Sequence, residues 1–258
     1  MSAPVLILGG TGEARDLAGR LIGADVPVIS SLAGRVANPQ LPDGEVRVGG
    51  FGGVDGLVAW LREHRAAAVV DATHPFAQRI SANAVAAAEA TGIPLLRLVR
   101  PEWAPVVGDS WSMVPDIDAA ATAVRDSGAR RVLLTTGRQD VGAFAGIDSA
   151  WFLIRVVDPP TAALPPAHEI LRSRGPYRLE DERKVLVDNG IDLLVTKNSG
   201  GELTRAKLDS ARELGIPVVL VERPSESATE AVATVDDAVS WVDRLARARK
   251  FTDRSGAG

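Results

Sequence analysis

Cysteine is absent from the 258 residues. That removes disulfides, thiolate metal sites and a cysteine nucleophile together. Aromatic residues are scarce, with 5 Trp, 5 Phe and the single tyrosine Tyr177, so a large planar ligand would meet mostly aliphatic surface. No stretch approaches the roughly 20 apolar residues that a membrane helix needs. The opening Met1-Ser2-Ala3-Pro4 lacks the basic region of a secretion signal, so a cytoplasmic protein with no membrane partner is expected. Positive charge is not in excess either. A net charge of −4 argues against a nucleic-acid partner held by overall charge, and any anionic ligand must meet local basic groups. Missing too are a Gly-x-x-x-x-Gly-Lys phosphate loop, His-Glu-x-x-His, a Gly-x-Ser-x-Gly elbow and a metal-ligand cluster. Tyr177 is followed four residues on by Asp181, not by lysine.

What is present is a regular alternation. Short apolar runs at Val5–Leu8, Val26–Ser30, Val46–Val48, Ala67–Asp71 and Pro94–Val99 are strand-like, and helical periodicity fills Glu13–Gly23, Val54–Arg65 and Phe76–Thr91. A second set follows. Its strands are Arg131–Leu134, Phe152–Val157, Leu193–Thr196 and Val218–Val221, its helices lie near Leu179–Asn189 and Glu202–Leu214, and a last helix spans about Val235–Arg249. Strands alternating with helices imply right-handed crossovers and mostly parallel sheets.

The two sets resemble each other. Gly92-Ile93-Pro94 and Gly215-Ile216-Pro217 stand 123 residues apart, and the same offset carries Arg100-Pro101 onto Arg223-Pro224, Ala72-Thr73-His74 onto Val195-Thr196-Lys197, and Gly52 onto Gly175. A period this long reads as an internal duplication rather than a solenoid. The expectation is an α/β protein of two Rossmann-like domains, with the active site in the interdomain cleft. The first would span 1–115 and the second 116–250, and 251–258 would be a flexible tail. Glu102–Val114 could add a strand to either domain.

In open parallel sheets ligands bind beyond the carboxyl ends of the strands. After the first strand comes Gly9-Gly10-Thr11-Gly12-Glu13, a glycine turn into a helix N-terminus, which suits a diphosphate. The full Gly-x-Gly-x-x-Gly pattern fails at Arg15. After the second come Ser30, Ser31 and Arg35, where an acidic residue would mark a free ribose hydroxyl. Hydroxyls with an arginine favour a 2′-phosphate, hence NADPH as cofactor. Gly50 and Phe51 after the third strand, and Thr73 and His74 after the fourth, complete the cofactor side. At the equivalent places in the second set stand Thr136-Gly137-Arg138, Arg174 with Tyr177, and Lys197-Asn198-Ser199. Cations, hydroxyls and amides there suit carboxylates or phosphates, so these residues are the substrate candidates. Lys197 is conspicuous because lysine occurs only at 184, 197, 207 and 250.

Ile7-Leu8-Gly9-Gly10-Thr11-Gly12-Glu13-Ala14, Asp71-Ala72-Thr73-His74-Pro75-Phe76-Ala77, Thr136-Gly137-Arg138, Arg174-Gly175-Pro176 and Thr196-Lys197-Asn198-Ser199-Gly200 occur in that order. Together, from about Val5 to Trp241, they closely resemble the precorrin-6A reductase family of cobalamin biosynthesis. The resemblance implies reduction of the precorrin-6A tetrapyrrole to precorrin-6B by NADPH, with hydride delivered to C19. It implies neighbouring pathway enzymes as candidate protein partners. A branch of the family takes the cobalt-containing substrate, and these residues do not separate the two. No catalytic residue is assigned; water, the macrocycle's own nitrogens or His74 could supply the proton to the neighbouring carbon. Two other classes fit the residues: an NADPH-binding sensor without turnover, and a two-domain nucleotide-sugar transferase.

Overall fold

The computed structural model describes residues 3–34, 40–225 and 229–255, with side chains described as far as 248. Along the first hundred residues run β1 (Val5–Leu8), α1 (Gly12–Gly23), β2 (Val28–Leu32), β3 (Glu45–Val48), α2 (Val54–Glu63), β4 (Ala68–Asp71), α3 (Gln78–Thr91) and β5 (Leu95–Leu98). Then come β6 (Trp111–Val114), α4 (Ile117–Ser127), β7 (Arg131–Leu134), a 3-10 turn at Val141–Phe144, β8 (Trp151–Val156) and β9 (His168–Arg172). The chain ends with α5 (Leu179–Asp188), β10 (Leu193–Lys197), α6 (Ala206–Glu213), β11 (Val218–Val221), β12 (Ala231–Val232) and α7 (Val235–Ser255).

These elements form two units, each on a six-stranded parallel sheet. Unit 1 takes residues 1–100 and 225–258 and has strand order β12-β5-β4-β1-β2-β3. Unit 2 takes 101–224 and has order β6-β11-β10-β7-β8-β9. The two orders are the same once β12 is matched to β6. Two Rossmann-like α/β units are therefore what the chain builds.

The middle strands are apolar on both faces, as a sheet covered by helices on both sides demands. In β1, Val5 and Ile7 join one core with Leu17 and Leu21 of α1, while Leu6 and Leu8 join the other with Leu57 and Leu61 of α2. In unit 2, Leu133, Leu153, Leu194 and Leu220 gather with Leu186 and Leu208 of the covering helices.

The domain limits differ from the expected division at 115/116. Trp111–Val114 pairs with β11, so the open segment belongs to unit 2. The last helix does not belong there. Residues Ala238, Trp241 and Val242 are buried against α1, β1 and β5, and β12 adds to β5 through Ala231 opposite Arg97. An apolar stripe on α7 needs a matching groove, and α1 offers it. The expected tail is helical as far as Ser255, and residues 256–258 lie outside the described set.

Two edge strands escaped the sequence reading. His168–Arg172 is mostly solvated and carries no apolar run, and β12 is only two residues long. Among the described residues no helix is long and apolar enough to cross a membrane.

Candidate functional site

In unit 1, β1 stops at Leu8 because Gly10, at φ +113°, turns the chain into α1. A side chain rarely adopts that angle. A Cβ at Gly10 would meet nothing within 4 Å, so the turn is open on its outer side. Thr11 caps α1: its Oγ1 accepts from the Ala14 N–H at 3.1 Å and donates to the Ala72 carbonyl at 2.7 Å. One hydroxyl thus satisfies an orphan helix donor and ties the loop after β1 to the loop after β4. Gly12 opens the helix, and Glu13 in its first turn accepts from Arg100 Nη1 at 3.0 Å.

Ser30 and Ser31 point to opposite faces of β2, as neighbours in a strand must. Ser30 is 1% exposed, and its Oγ has no hydrogen-bond partner among the described residues. It borders a shallow open depression, about 10 Å³ in volume, with Gly9, Gly10, Ala14, Arg15 and Leu32. A buried hydroxyl left unpaired costs about 1–3 kcal/mol. Ser31 lies opposite Arg47 of β3 and accepts from its Nη1 at 3.0 Å. The same guanidinium donates to the Gly49 and Gly50 carbonyls at 2.8 and 3.1 Å and lies 3.8 Å from the centre of the Phe51 ring. Desolvation lowers its pKa below the ordinary arginine value. Arg35 lies outside the described residues.

Beyond β4, Asp71 is buried and its Oδ1 accepts from both N and Oγ1 of Thr73, at 3.1 and 2.6 Å. His74 turns the chain toward α3: its carbonyl accepts from Ala77 N, and its Nδ1 accepts from Phe76 N at 3.3 Å. The first-, second-, third- and fourth-strand candidates are thus linked in two groups, Thr11 with the Ala72–Thr73 loop and Ser31 with Gly50 and Phe51.

Unit 2 presents a different surface at its strand ends. Gly137, at φ +93°, again follows the first central strand, but the segment continues into the short 3-10 turn rather than a helix. Thr136 is 5% exposed and its Oγ1 is unpaired among the described residues. Arg138 is half-buried and Arg174 is exposed. Lys197 pairs with Asp140, joining the loops after β10 and β7. Tyr177 stacks under the Arg155 guanidinium at 4.2 Å, and Arg155 is itself paired in the interior with Glu182 of α5.

Asn198 is spent on the fold. Its Oδ1 accepts from Trp103 N at 2.9 Å, and its Nδ2 donates to Trp103 O and Glu102 Oε2 at 3.2 Å. Arg223 donates to the Asn198 and Ser199 carbonyls at 2.9 and 3.1 Å, closing the same turn from below. A Cβ at Gly200 would run into the Pro101 carbonyl, so the turn tolerates glycine alone there.

Two residues were missed by sequence reasoning: Arg47 and Arg155. Both sit inside strands, where a single arginine among apolar residues reads as an edge position. The signal that could have found Arg47 is the run Arg47-Val48-Gly49-Gly50, a cation at the last turn of chain before a glycine loop.

The family model described as "Precorrin-6x reductase CbiJ/CobK" matches residues 4–243. The chain belongs to this family. The curated precorrin-6A reductases of Rhodococcus erythropolis and Mycobacterium tuberculosis are 53% and 55% identical to it, over 94% and 93% of this chain and 98% of each relative. A solved structure titled "CobK precorrin-6A reductase" superposes with a TM-score of 0.90 at 40% identity, covering 95% of this chain and 97% of that one. Relatives named cobalt-precorrin-6A reductase stand further off, at 29–30% identity. Membership in the CbiJ/CobK family makes the chain one of the reductases of cobalamin synthesis. Among the described residues no group of three or more His, Asp or Glu could hold a metal ion.

Proposed function

We propose that this chain reduces precorrin-6A to precorrin-6B with NADPH, by hydride transfer to C19 of the macrocycle. The observation that carries this reading is end-to-end likeness to reductases named for that substrate, at 53–55% identity. The gap between those values and the 29–30% for the cobalt-precorrin relatives favours the metal-free substrate.

Unit 1 is the side that fits a dinucleotide. The open turn at Gly10 and the unpaired Ser30 hydroxyl beside it are features a bound phosphate and ribose would satisfy. Backbone amides at Gly10, Thr11 and Gly12 face the positive end of α1, where a diphosphate is held best. Glu13 shapes the first turn; Ser30, Ser31 and Arg35 are assigned to the ribose and its 2′-phosphate from the sequence, Arg35 lying outside the described residues, and Gly50, Phe51, Thr73 and His74 would border the remainder. When bound, NADPH supplies the hydride; the residues supply orientation and electrostatics. His74 accepts the Phe76 N–H at Nδ1, which places the ring proton of the neutral imidazole on Nε2.

Unit 2 is the side for the carboxylate-rich tetrapyrrole. Thr136, Gly137, Arg138, Arg174, Tyr177, Lys197 and Ser199 offer the donors, and Asn198 fixes the turn that carries the last two. Charge-assisted bonds from such cations are roughly twice as strong as neutral ones.

The test is to mix the protein with NADPH and precorrin-6A and follow the near-ultraviolet band of reduced nicotinamide. Loss of that band with a change in the tetrapyrrole spectrum is expected. Turnover of cobalt-precorrin-6A alone would move the chain to the other branch. Binding of NADPH with neither substrate reduced would overturn the reading in favour of a sensor.

A further inference from the structure

We propose that Arg47 is the residue that distinguishes a 2′-phosphorylated adenosine from an unphosphorylated one. The inference rests on the reading of unit 1 as an NADPH site and deepens it. Three observations converge on this side chain.

Its position is the first. Arg47 lies on β3 directly opposite Ser31 of β2, and its guanidinium reaches the carbonyls of Gly49 and Gly50, which lie past the end of the strand. The group therefore sits at the carboxyl edge of β2 and β3, the place where a parallel nucleotide-binding sheet meets the adenosine ribose.

Its charge balance is the second. Arg47 is half-buried and desolvated, yet its partners are a hydroxyl, two carbonyls and an aromatic face. Among the described residues no carboxylate pairs with it. The fully buried arginines Arg97 and Arg155 have Asp71 and Glu182, whereas the half-buried Arg131 is held, like Arg47, by a carbonyl and an aromatic face. A desolvated cation without a counter-ion is costly unless an anion completes it.

Its remaining donors are the third. A guanidinium carries five N–H groups, and three of Arg47's bonds are made within the protein. Stacked on Phe51 and held by the glycine carbonyls, it keeps one edge oriented without further loss of side-chain freedom. A phosphate monoester matches that edge by a fork of two bonds, whereas a ribose hydroxyl does not.

The experiment is calorimetric titration of the full chain with adenosine 2′,5′-bisphosphate and with adenosine 5′-monophosphate, which differ only in the 2′-phosphate. The wild type is expected to prefer the bisphosphate, and Arg47→Met to lose about tenfold or more of that affinity while holding the monophosphate within about twofold. Equal loss of both ligands would make Arg47 a loop staple and overturn the proposal, as would no loss of either. If Arg47→Met melts below the assay temperature, Arg47→Lys decides. It keeps the charge without the fork, so a fall confined to the bisphosphate is expected, and wild-type affinity for both ligands overturns the proposal. A wild type that binds neither ligand, or both equally, refutes the NADPH site itself and not merely Arg47. Arg35→Ala erasing the preference while Arg47→Met retains it would assign the phosphate to Arg35 instead.

Discussion

The two sheets have one strand order and two chemistries. Arg97 and Leu220 occupy corresponding places on β5 and β11, and counting registers outward from them brings Gly10 to Gly137, Ser31 to Arg155 and Arg47 to Leu171. Both glycines turn with positive φ, but in unit 1 the turn enters the 12-residue α1, and in unit 2 it enters a four-residue 3-10 turn. Only the first therefore presents free backbone amides at the positive end of a helix. At the next strand, unit 1 offers two hydroxyls, whereas unit 2 fills the place with Arg155 and closes it with Glu182. Unit 2 lacks the helix-led turn on which the proposed dinucleotide reading of unit 1 rests. What it has in exchange is cations on side chains, at Arg138, Arg174 and Lys197. Two scaffolds of one strand order thus differ chiefly in the loops at their strand ends, where function on a shared fold is set.

The sharpest way to break the comparison is to separate the units. Unit 2 is continuous in the chain, whereas unit 1 needs the return of β12 and α7. Ending the chain at Pro224 removes Ala238, Trp241 and Val242 from the core of unit 1. That loss is about 5 kcal/mol or more, comparable with the whole stability of a domain. The shortened chain is expected to lose amide-exchange protection across β1, β4 and β5 and keep it across β7, β10 and β11. The fragment 101–224 should melt cooperatively by itself. Retained protection in β1 would show that α7 is an accessory rather than part of that core.

That return of the chain is also where sequence reading stopped short. Eight of the nine strands read from the sequence, all but Val26–Ser30, were legible to within a residue; Val5–Leu8, Ala67–Asp71, Leu193–Thr196 and Val218–Val221 owe this to burial on both faces and to the turns that bound them. The duplication was legible too, but as one offset. In the structure 123 holds between β5 and β11, while Asp71 corresponds to Thr196 and Leu8 to Thr135, so loops of unequal length have shifted the register. Lys197 consequently matches Ala72 rather than His74. Which sheet α7 covers could not be read, because an amphipathic stripe names no partner. Nor could the employment of Asn198: its motif looks like a ligand loop, and only tertiary contact reveals that Trp103 consumes its amide.

A second test concerns the place where Ser31 and Arg155 correspond. Glu182→Leu leaves the Arg155 guanidinium in the interior without its carboxylate, with side chains only 5% and 2% exposed. The expected cost is about 3–5 kcal/mol in urea unfolding, and adding Arg155→Met should recover most of it, because two apolar side chains need no counter-ion. Ser31→Ala in unit 1 should cost about 1 kcal/mol, one hydrogen bond from Arg47. If the double variant remained as unstable as Glu182→Leu, the aromatic contact with Tyr177 rather than the ion pair would hold that corner of unit 2.

The finest distinction lies at the first loop, where Thr11 and Arg138 correspond. Thr11→Ala deletes the cap on Ala14 N and leaves the Ala72 carbonyl without its donor. Loss of a helix cap alone costs about 1 kcal/mol, and the severed tie between the β1 and β4 loops takes the total to about 2. Unit 2 has no helix to cap at this point, so Arg138→Ala should cost less in urea unfolding than Thr11→Ala. Thr11→Ser, which keeps the hydroxyl and loses only the methyl, should restore most of the stability. Equal losses for Thr11→Ala and Arg138→Ala would mean that the α1 N-terminus is held by its packing against α7 rather than by its cap, and the contrast between a helix-led loop and a side-chain-led loop would then rest on ligand binding alone.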